Sequence, residues 1–350
     1  MSAREDQAFL DAAAAQADLH HQYLLGLELM VASREGPEVI GEWMFCLFRS
    51  QHEAKFLSSF RKLGLEGQPD AVACARYHVL SNGIGGVGVE YMEESDRKAW
   101  VRFRYPRWMY DGAAICGVPV EASRGFLRGW YAQNGVSLKN PRLGFVCVSE
   151  DMTAQFGFCG YFREYDHDLT EDERLQFRPD ELPPPFDPDA QPAPPATDWN
   201  PVRLAKAERN YACEYIRNGI RELTAVLGRE RAVERASLAA RLTGLQQFPR
   251  MAAAVGNRDA GPGEAADFLA KMFRGMGDEA DVEVAADGTS ARVTQTGHRI
   301  ARDLPDAEAD VLLACWNEIW VGAVHSCRDL MDVAVTREDG RTVWEIGLRR

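Results

Sequence analysis

One strand-like segment of the chain carries residues suited to holding an organic acid. Arg102, Arg104 and Arg107 lie close together, with Tyr105 and Tyr110 among them. A guanidinium group offers a fork of N–H donors that matches the geometry of a carboxylate. The segment therefore predicts a binding site for a carboxylate-bearing substrate. The alternative is a charged sheet face in water, because long basic side chains on strands are usually solvated.

Two cysteines are candidates for nucleophilic or redox chemistry. Cys147 and Cys159 fall on the two strands of one predicted hairpin. A cysteine attacks as its thiolate, which requires a neighbouring group that lowers the thiol pKa. No motif beside either residue supplies one, so the alternative is a pair of inert core thiols.

An acidic segment with one histidine follows the same hairpin. The stretch GYFREYDHDL contains Glu164, Asp166 and His167 just beyond a predicted strand end. Carboxylates with an imidazole can transfer protons, and strand ends are places where such groups reach a pocket. We therefore add these three residues to the two cysteines as candidate catalytic residues. The alternative is a solvated acidic loop. We assign no metal ligand, and the cofactor stays unknown.

The pattern of apolar residues predicts the elements that position these groups. Spacing by three to four residues indicates helices at about 8–31, 38–63, 70–80 and 120–133, then at 202–227, 230–255, 263–276 and 306–327. Alternating residues indicate hairpins at about 87–105, 142–166, 280–295 and 331–348. The glycine-rich stretch 82–90 precedes a strand instead of opening a helix, so we do not predict nucleotide binding.

The same order of elements occurs twice along the chain. A shift of 192 positions gives ten identities over 63 ungapped positions, among them Tyr23 with Tyr215, Gly36 with Gly228, Phe56 with Phe248, and Gly64 with Gly256. This repetition predicts an α+β fold of two similar halves related by a pseudo-twofold axis. Each half contains a helix pair, antiparallel hairpins and a further helix.

A proline-rich segment separates the two predicted halves. Nine of the 17 prolines fall within residues 179–201, which predicts an extended, semi-rigid linker. The predicted domains are therefore 1–178, the linker 179–201, and 202–350. We place the site in the first half, because it holds the strand arginines and many aromatic residues. The second half has plain strands and reads as a scaffold.

Composition and charge exclude several classes of protein. The formal net charge is −13, which argues against nucleic acid or an anionic membrane as a partner. The most apolar stretches are shorter than the roughly 20 residues of a spanning helix. The N-terminus is acidic where a secretory signal is basic, and the eight cysteines form no CxxC motif. We expect a soluble cytoplasmic protein with a small-molecule partner, for which a homodimer is possible.

The two halves also resemble a known type of domain. A glycine and an acid open the second helix of each half (Gly36 and Glu38; Gly228 and Glu230), and a hairpin ends each half. This arrangement resembles the domain shared by vinyl-reductase-type (V4R) small-molecule-binding proteins and the L-2-amino-thiazoline-4-carboxylic acid hydrolase family, over residues 22–166 and again 211–349. A Gly-Asp-x-x-Cys ending of such domains is replaced here by FGFCGYFREYD and by VWEIGLRR. The resemblance therefore implies a small-molecule domain but no particular site residue.

Two functional hypotheses follow from these residues. The first is an enzyme, a hydrolase or lyase, that acts on a small carboxylate-bearing molecule held by the arginines. The alternative is a non-catalytic binding or sensory protein that encloses an apolar ligand. The groups that line the pocket distinguish the two, because catalysis needs an arginine together with a carboxylate or thiol.

Overall fold

The structure, a computed structural model, describes residues 3–153, 155–193 and 200–349. The chain divides into two compact units, one of residues 28–198 and the other of residues 1–27 with 199–350. The second boundary falls inside the predicted linker, whereas the first falls inside the N-terminal helix. Each unit combines long helices with a sheet, which confirms the predicted α+β fold.

The unit of residues 28–198 is built on a five-stranded sheet with the order β1-β2-β4-β3-β5. Its helices, together with the helix α1 that enters it, are α1 (Ala3–Glu35), α2 (Pro37–Lys62), α3 (Asp70–Ile84), α4 (Val120–Gly129) and α5 (Asn134–Ser137). Its strands are β1 (Val89–Ser95), β2 (Lys98–Phe103), β3 (Leu143–Ser149), β4 (Cys159–Glu164) and β5 (Leu175–Phe177). Strand β5 runs parallel to β3, and the sequence pattern did not predict it.

The other unit contains a four-stranded antiparallel sheet with the order β6-β7-β9-β8. Its helices are α6 (Pro201–Leu227), α7 (Arg229–Ala254), α8 (Gly261–Met276) and α9 (Asp306–His325), and residues 1–27 of α1 pack with them. Its strands are β6 (Glu279–Val284), β7 (Ser290–Thr296), β8 (Met331–Glu338) and β9 (Arg341–Leu348). The first four strands of the other sheet have the same order.

Glycines with positive φ occur at equivalent positions of the two copies, with the offset of 192 residues that the sequence predicts. Helices α2 and α7 are separated by 192 positions at both their first and last residues. Gly36 and Gly228 precede them with φ of 94° and 78°, and Gly64 and Gly256 follow them with φ of 69° and 66°. Residues with a side chain rarely adopt such angles. The equivalent glycines therefore begin and end equivalent helices.

Glycines also allow the closest helix contacts in both units. A Cβ atom built at Gly125 of α4 would overlap the carbonyl oxygen of Gly41 in α2, and Gly129 approaches the same helix one turn later. In the other unit a Cβ at Gly244 of α7 would overlap the carbonyl oxygen of Ile319 in α9. Backbone meets backbone at these crossings, so even one methyl group is excluded.

The described part of the predicted linker packs against its own unit. We call residues 179–193 the proline-rich strap. They contain no α-helix or β-strand, as predicted, and only one 3-10 turn at Pro188–Ala190. The side-chain amide of Gln191 accepts a hydrogen bond from the Tyr91 N–H and donates one to the Tyr91 carbonyl, both at 2.9 Å. The amide thereby satisfies an edge position of β1 that a strand would otherwise satisfy.

Candidate functional site

A groove of about 550 Å³ lies at the end of β2 in the unit of residues 28–198. Its described lining residues are Arg102, Phe103, Arg104, Tyr105, Phe156, Gly157, Leu182 and Pro183. Arg102, Arg104 and Tyr105 are three of the five predicted substrate-binding residues. The strap supplies one wall through Leu182 and Pro183. The groove thus combines guanidinium groups with an apolar surface.

A single carboxylate, that of Glu90, contacts both groove arginines. Glu90 faces Arg102 across the β1–β2 pair, and its Oε2 lies 2.5 Å from the Arg102 Nε. Its Oε1 lies 3.5 Å from the Nε of Arg104, whose side chain is 62% exposed. Because one carboxylate cannot saturate ten N–H donors of two guanidinium groups, Arg104 keeps donors for a ligand.

Arg107 is not part of the groove but of a buried ion pair behind it. Its Nη1 lies 2.7 Å from Oδ2 of Asp151, and its guanidinium lies over the Phe103 ring at 4.4 Å. Burial opposes the charge, but attraction to Asp151 prevails and raises the pKa of Arg107. The other Asp151 oxygen accepts a hydrogen bond from the Tyr105 hydroxyl. Asp151 and Arg107 therefore hold Tyr105 against the groove.

An acidic side chain that sequence reasoning missed lies in the same unit. Glu28 is fully buried, and neither carboxyl oxygen has a hydrogen-bond partner among the described residues. Burial raises the pKa of Glu28, and the Arg107 charge offsets only part of this effect. The predicted ligand residue Tyr110 is also buried, and burial raises its pKa. The sequence pattern could have indicated the burial of Glu28, because it stands three residues before Val31 on an apolar helix face.

Two histidines and an asparagine form a buried chain of polar contacts. The His52 Nε2 lies 3.1 Å from Asn134 Oδ1, and the Asn134 Nδ2 lies 3.1 Å from His78 Nε2. His78 stacks on Tyr131 with ring centroids 4.0 Å apart. Burial lowers the pKa of His52 to about 3 and that of His78 well below its usual range. Both imidazoles are therefore neutral, and neither lines the groove.

The two candidate cysteines lie in the core on opposite faces of the sheet. Cys159 shares an apolar cluster with Trp100, Val146 and other side chains, whereas Cys147 alternates with Val146 along β3. Burial raises the pKa of the Cys159 thiol to about 12 and raises that of Cys147 as well. Neither sulfur lines the groove, and the sheet separates one from the other.

The candidate acidic residues lie at the far end of β4. Glu164 accepts hydrogen bonds from Arg142 and Asn140, each at 3.1 Å. The Asp166 side chain is 92% exposed and pairs with Arg97 at 2.8 Å, and this hydrogen bond lowers the pKa of Asp166. His167 is exposed. The structure brings none of these three residues to the groove.

Comparisons with known proteins add little to this geometry. No family model matches the chain, and no curated protein matches it. A solved structure of a trafficking protein particle complex subunit 3 from Naegleria fowleri, covalently bound to palmitic acid, is similar over part of the fold. It shares 12% identity with a TM-score of 0.33, over 40% of this chain and 97% of that chain.

The described residues contain neither a candidate metal cluster nor a candidate membrane-spanning helix. Within residues 3–153, 155–193 and 200–349, no group of three or more His, Cys, Asp or Glu side chains could hold a metal ion. No helix in those ranges is long and apolar enough to cross a bilayer.

Proposed function

We propose that the protein binds a small carboxylate-bearing organic molecule in the groove and does not transform it. The carboxylate contacts Arg104 and Arg102, and the apolar part of the ligand lies against Phe156 and Leu182. The lining of the groove is the observation that carries this proposal, because it places two guanidinium groups beside an apolar wall. Pockets for small molecules commonly have this composition, with few polar groups that fix the orientation.

The absence of a reactive group at the groove favours binding over turnover. Its described lining residues include no thiol, imidazole or carboxylate, and the two acids that bond them are already paired, Glu90 with the groove arginines and Asp151 with Arg107. The hypothesis of a hydrolase or lyase stays a prediction, as do the catalytic assignments of the cysteines and the acidic loop. The resemblance to V4R-type small-molecule domains agrees in kind with binding and likewise stays a prediction.

The partner predictions follow the same reasoning. A small-molecule ligand is the partner proposed here. The predicted cytoplasmic location, the absence of nucleic-acid and membrane partners, and the possible homodimer stay predictions. The protein has a net charge of −13, so the groove arginines form a positive site on an acidic protein.

The experiment is a calorimetric titration with matched acids and amides. A thermal-shift screen of carboxylic acids first selects a ligand, and its primary amide serves as the uncharged counterpart. Arg104→Gln should weaken binding of the acid about tenfold or more, because a hydrogen bond between charged groups contributes roughly 1.5–3 kcal/mol. The amide should bind weakly to both proteins.

Arg292→Gln is the matched control variant. Arg292 is also a strand arginine paired with one glutamate, Glu345 at 2.6 Å, but it lies in the other sheet. We expect it to bind the acid as the wild type does. Equal affinity of wild type and Arg104→Gln for every acid in the screen would refute the proposal.

A further inference from the structure

A second pocket lies in the unit of residues 1–27 and 199–350, within the part of it that the sequence predicts to be a scaffold. It has a volume of about 230 Å³ and is formed by one face of α6, the start of α7 and the first half of α9. Its lining residues are Arg217, Ile220, Arg221, Thr224, Arg229, Leu304, Ala307, Glu308, Val311 and Leu312. No part of the groove described above contributes to it.

The rim of this pocket carries an excess of positive charge. Three arginines line it, and Glu308 is the one carboxylate among its described lining residues. Arg217 donates to the Arg302 carbonyl oxygen at 2.9 Å, so its charge is not neutralised by that contact. Arg221 bonds the neighbouring Glu222 at 2.9 Å. Arg229 is exposed, and no hydrogen bond or ion pair of its side chain joins it to another described residue.

The floor of the pocket is apolar. Ile220, Val311 and Leu312 are buried at 2%, 7% and 2% exposure, so they present methyl groups to the pocket from the core. The volume corresponds to about seven or eight water molecules at roughly 30 Å³ each. A ligand that fits is therefore a compact body with about that many heavy atoms, apolar at one end and anionic at the other.

We propose that this pocket is a binding site for a small organic carboxylate with a compact apolar body, such as an aromatic monocarboxylate. The apolar body lies on the floor formed by α6 and α9, and the carboxylate meets the guanidinium groups of Arg221 and Arg229 at the rim. Guanidinium forks match a carboxylate, and the apolar floor excludes water from one side of the contact. The pocket stands independently of the proposed function of the groove.

The test is a titration of the full chain with benzoate, with benzamide as the uncharged counterpart. All variants are made in an Arg102→Gln and Arg104→Gln background, so that both guanidinium groups of the groove are removed. Benzoate should bind this background at one site, and benzamide should bind at least tenfold more weakly. Adding Arg221→Gln and Arg229→Gln should weaken benzoate binding about tenfold or more, since charge-assisted hydrogen bonds are lost.

Arg231→Gln provides the control on the same helix, because Arg231 follows Arg229 by two residues and does not line the pocket. It should leave benzoate binding within twofold of the background. Circular dichroism confirms that each variant is folded. The proposal is overturned if the background does not bind benzoate, if benzamide binds equally well, or if the Arg221 and Arg229 substitutions leave the affinity unchanged.

Discussion

Acidification should destabilise this protein because several histidines are buried in the neutral form. His52 is 1% exposed, and burial lowers its pKa from 6.5 to about 3. Above pH 6.5 the imidazole is neutral in both the folded and the unfolded chain, so its pKa shift has no effect on stability there. As the pH falls below 6.5, the unfolded chain binds a proton and the folded chain does not. Stability is therefore lost as the pH falls from 6.5 towards 3.

The size of the effect follows from this lowering of the His52 pKa. Each pH unit below 6.5 removes about 1.4 kcal/mol for a histidine that stays neutral when folded. At pH 5 the loss from His52 is thus about 2 kcal/mol. His78, in the same unit, acts in the same direction, because burial also holds its pKa well below the usual range. The loss from His52 alone is already a large share of the stability of a typical domain, which is roughly 5–15 kcal/mol.

Urea denaturation at pH 7, 6 and 5, followed by tryptophan fluorescence, measures the loss. His52→Gln keeps a donor for Asn134 but cannot titrate, so the fall in unfolding free energy between pH 7 and 5 should be about 2 kcal/mol smaller than in wild type. The reasoning fails if His52→Gln and wild type lose the same stability over this range.

Three further predictions concern packing, the strap and the thiols. Gly244→Ala should destabilise the protein by about 3 kcal/mol or more in thermal unfolding, because its Cβ has no space against α9. Gly83→Ala lies in open space on α3 and should be neutral or stabilising. Similar melting temperatures for the two variants would contradict the close contact of α7 with α9. Gln191→Ala should expose the edge of β1, so that the Tyr91 amide exchanges hydrogen faster and the free energy of unfolding falls by roughly 1–3 kcal/mol. Unchanged hydrogen exchange would show that the Gln191 side chain does not protect this edge. Iodoacetamide at pH 8, with detection by mass spectrometry, should label the exposed Cys116 and spare the buried Cys147 and Cys159 in the native protein. Rapid labelling of Cys147 would favour the nucleophile hypothesis instead.

The helices and hairpins could be predicted because each carries its own local pattern. Helix α2 has a regular apolar face and a glycine before and after it, and the same features recur 192 residues later in α7. Strand β5 could not be predicted, because three residues in parallel pairing have no hairpin turn and too little alternation. The grouping of residues 1–27 with the C-terminal elements likewise depends on tertiary contacts that leave no local signal.

The candidate site was predictable only in part, for a related reason. Arg102, Arg104 and Tyr105 are near neighbours along one strand, so their common location could be inferred from the sequence. The contact of His52 with Asn134 joins residues 82 positions apart, and no local pattern relates them. The GxxxG spacing of Gly125 and Gly129 was visible in the sequence and signals a close helix crossing.

Residues 1–27 pack with the C-terminal elements, and this determines the products of a proteolytic cleavage in the strap. The Tyr23 hydroxyl donates to the Ala236 carbonyl at 2.9 Å, and the His20 ring stacks on Trp316 at 4.5 Å. A fragment that begins after the strap would lack these side chains and with them part of its own interior. Severing the peptide bond there would therefore yield two interdependent fragments that stay associated, in place of two autonomous proteins.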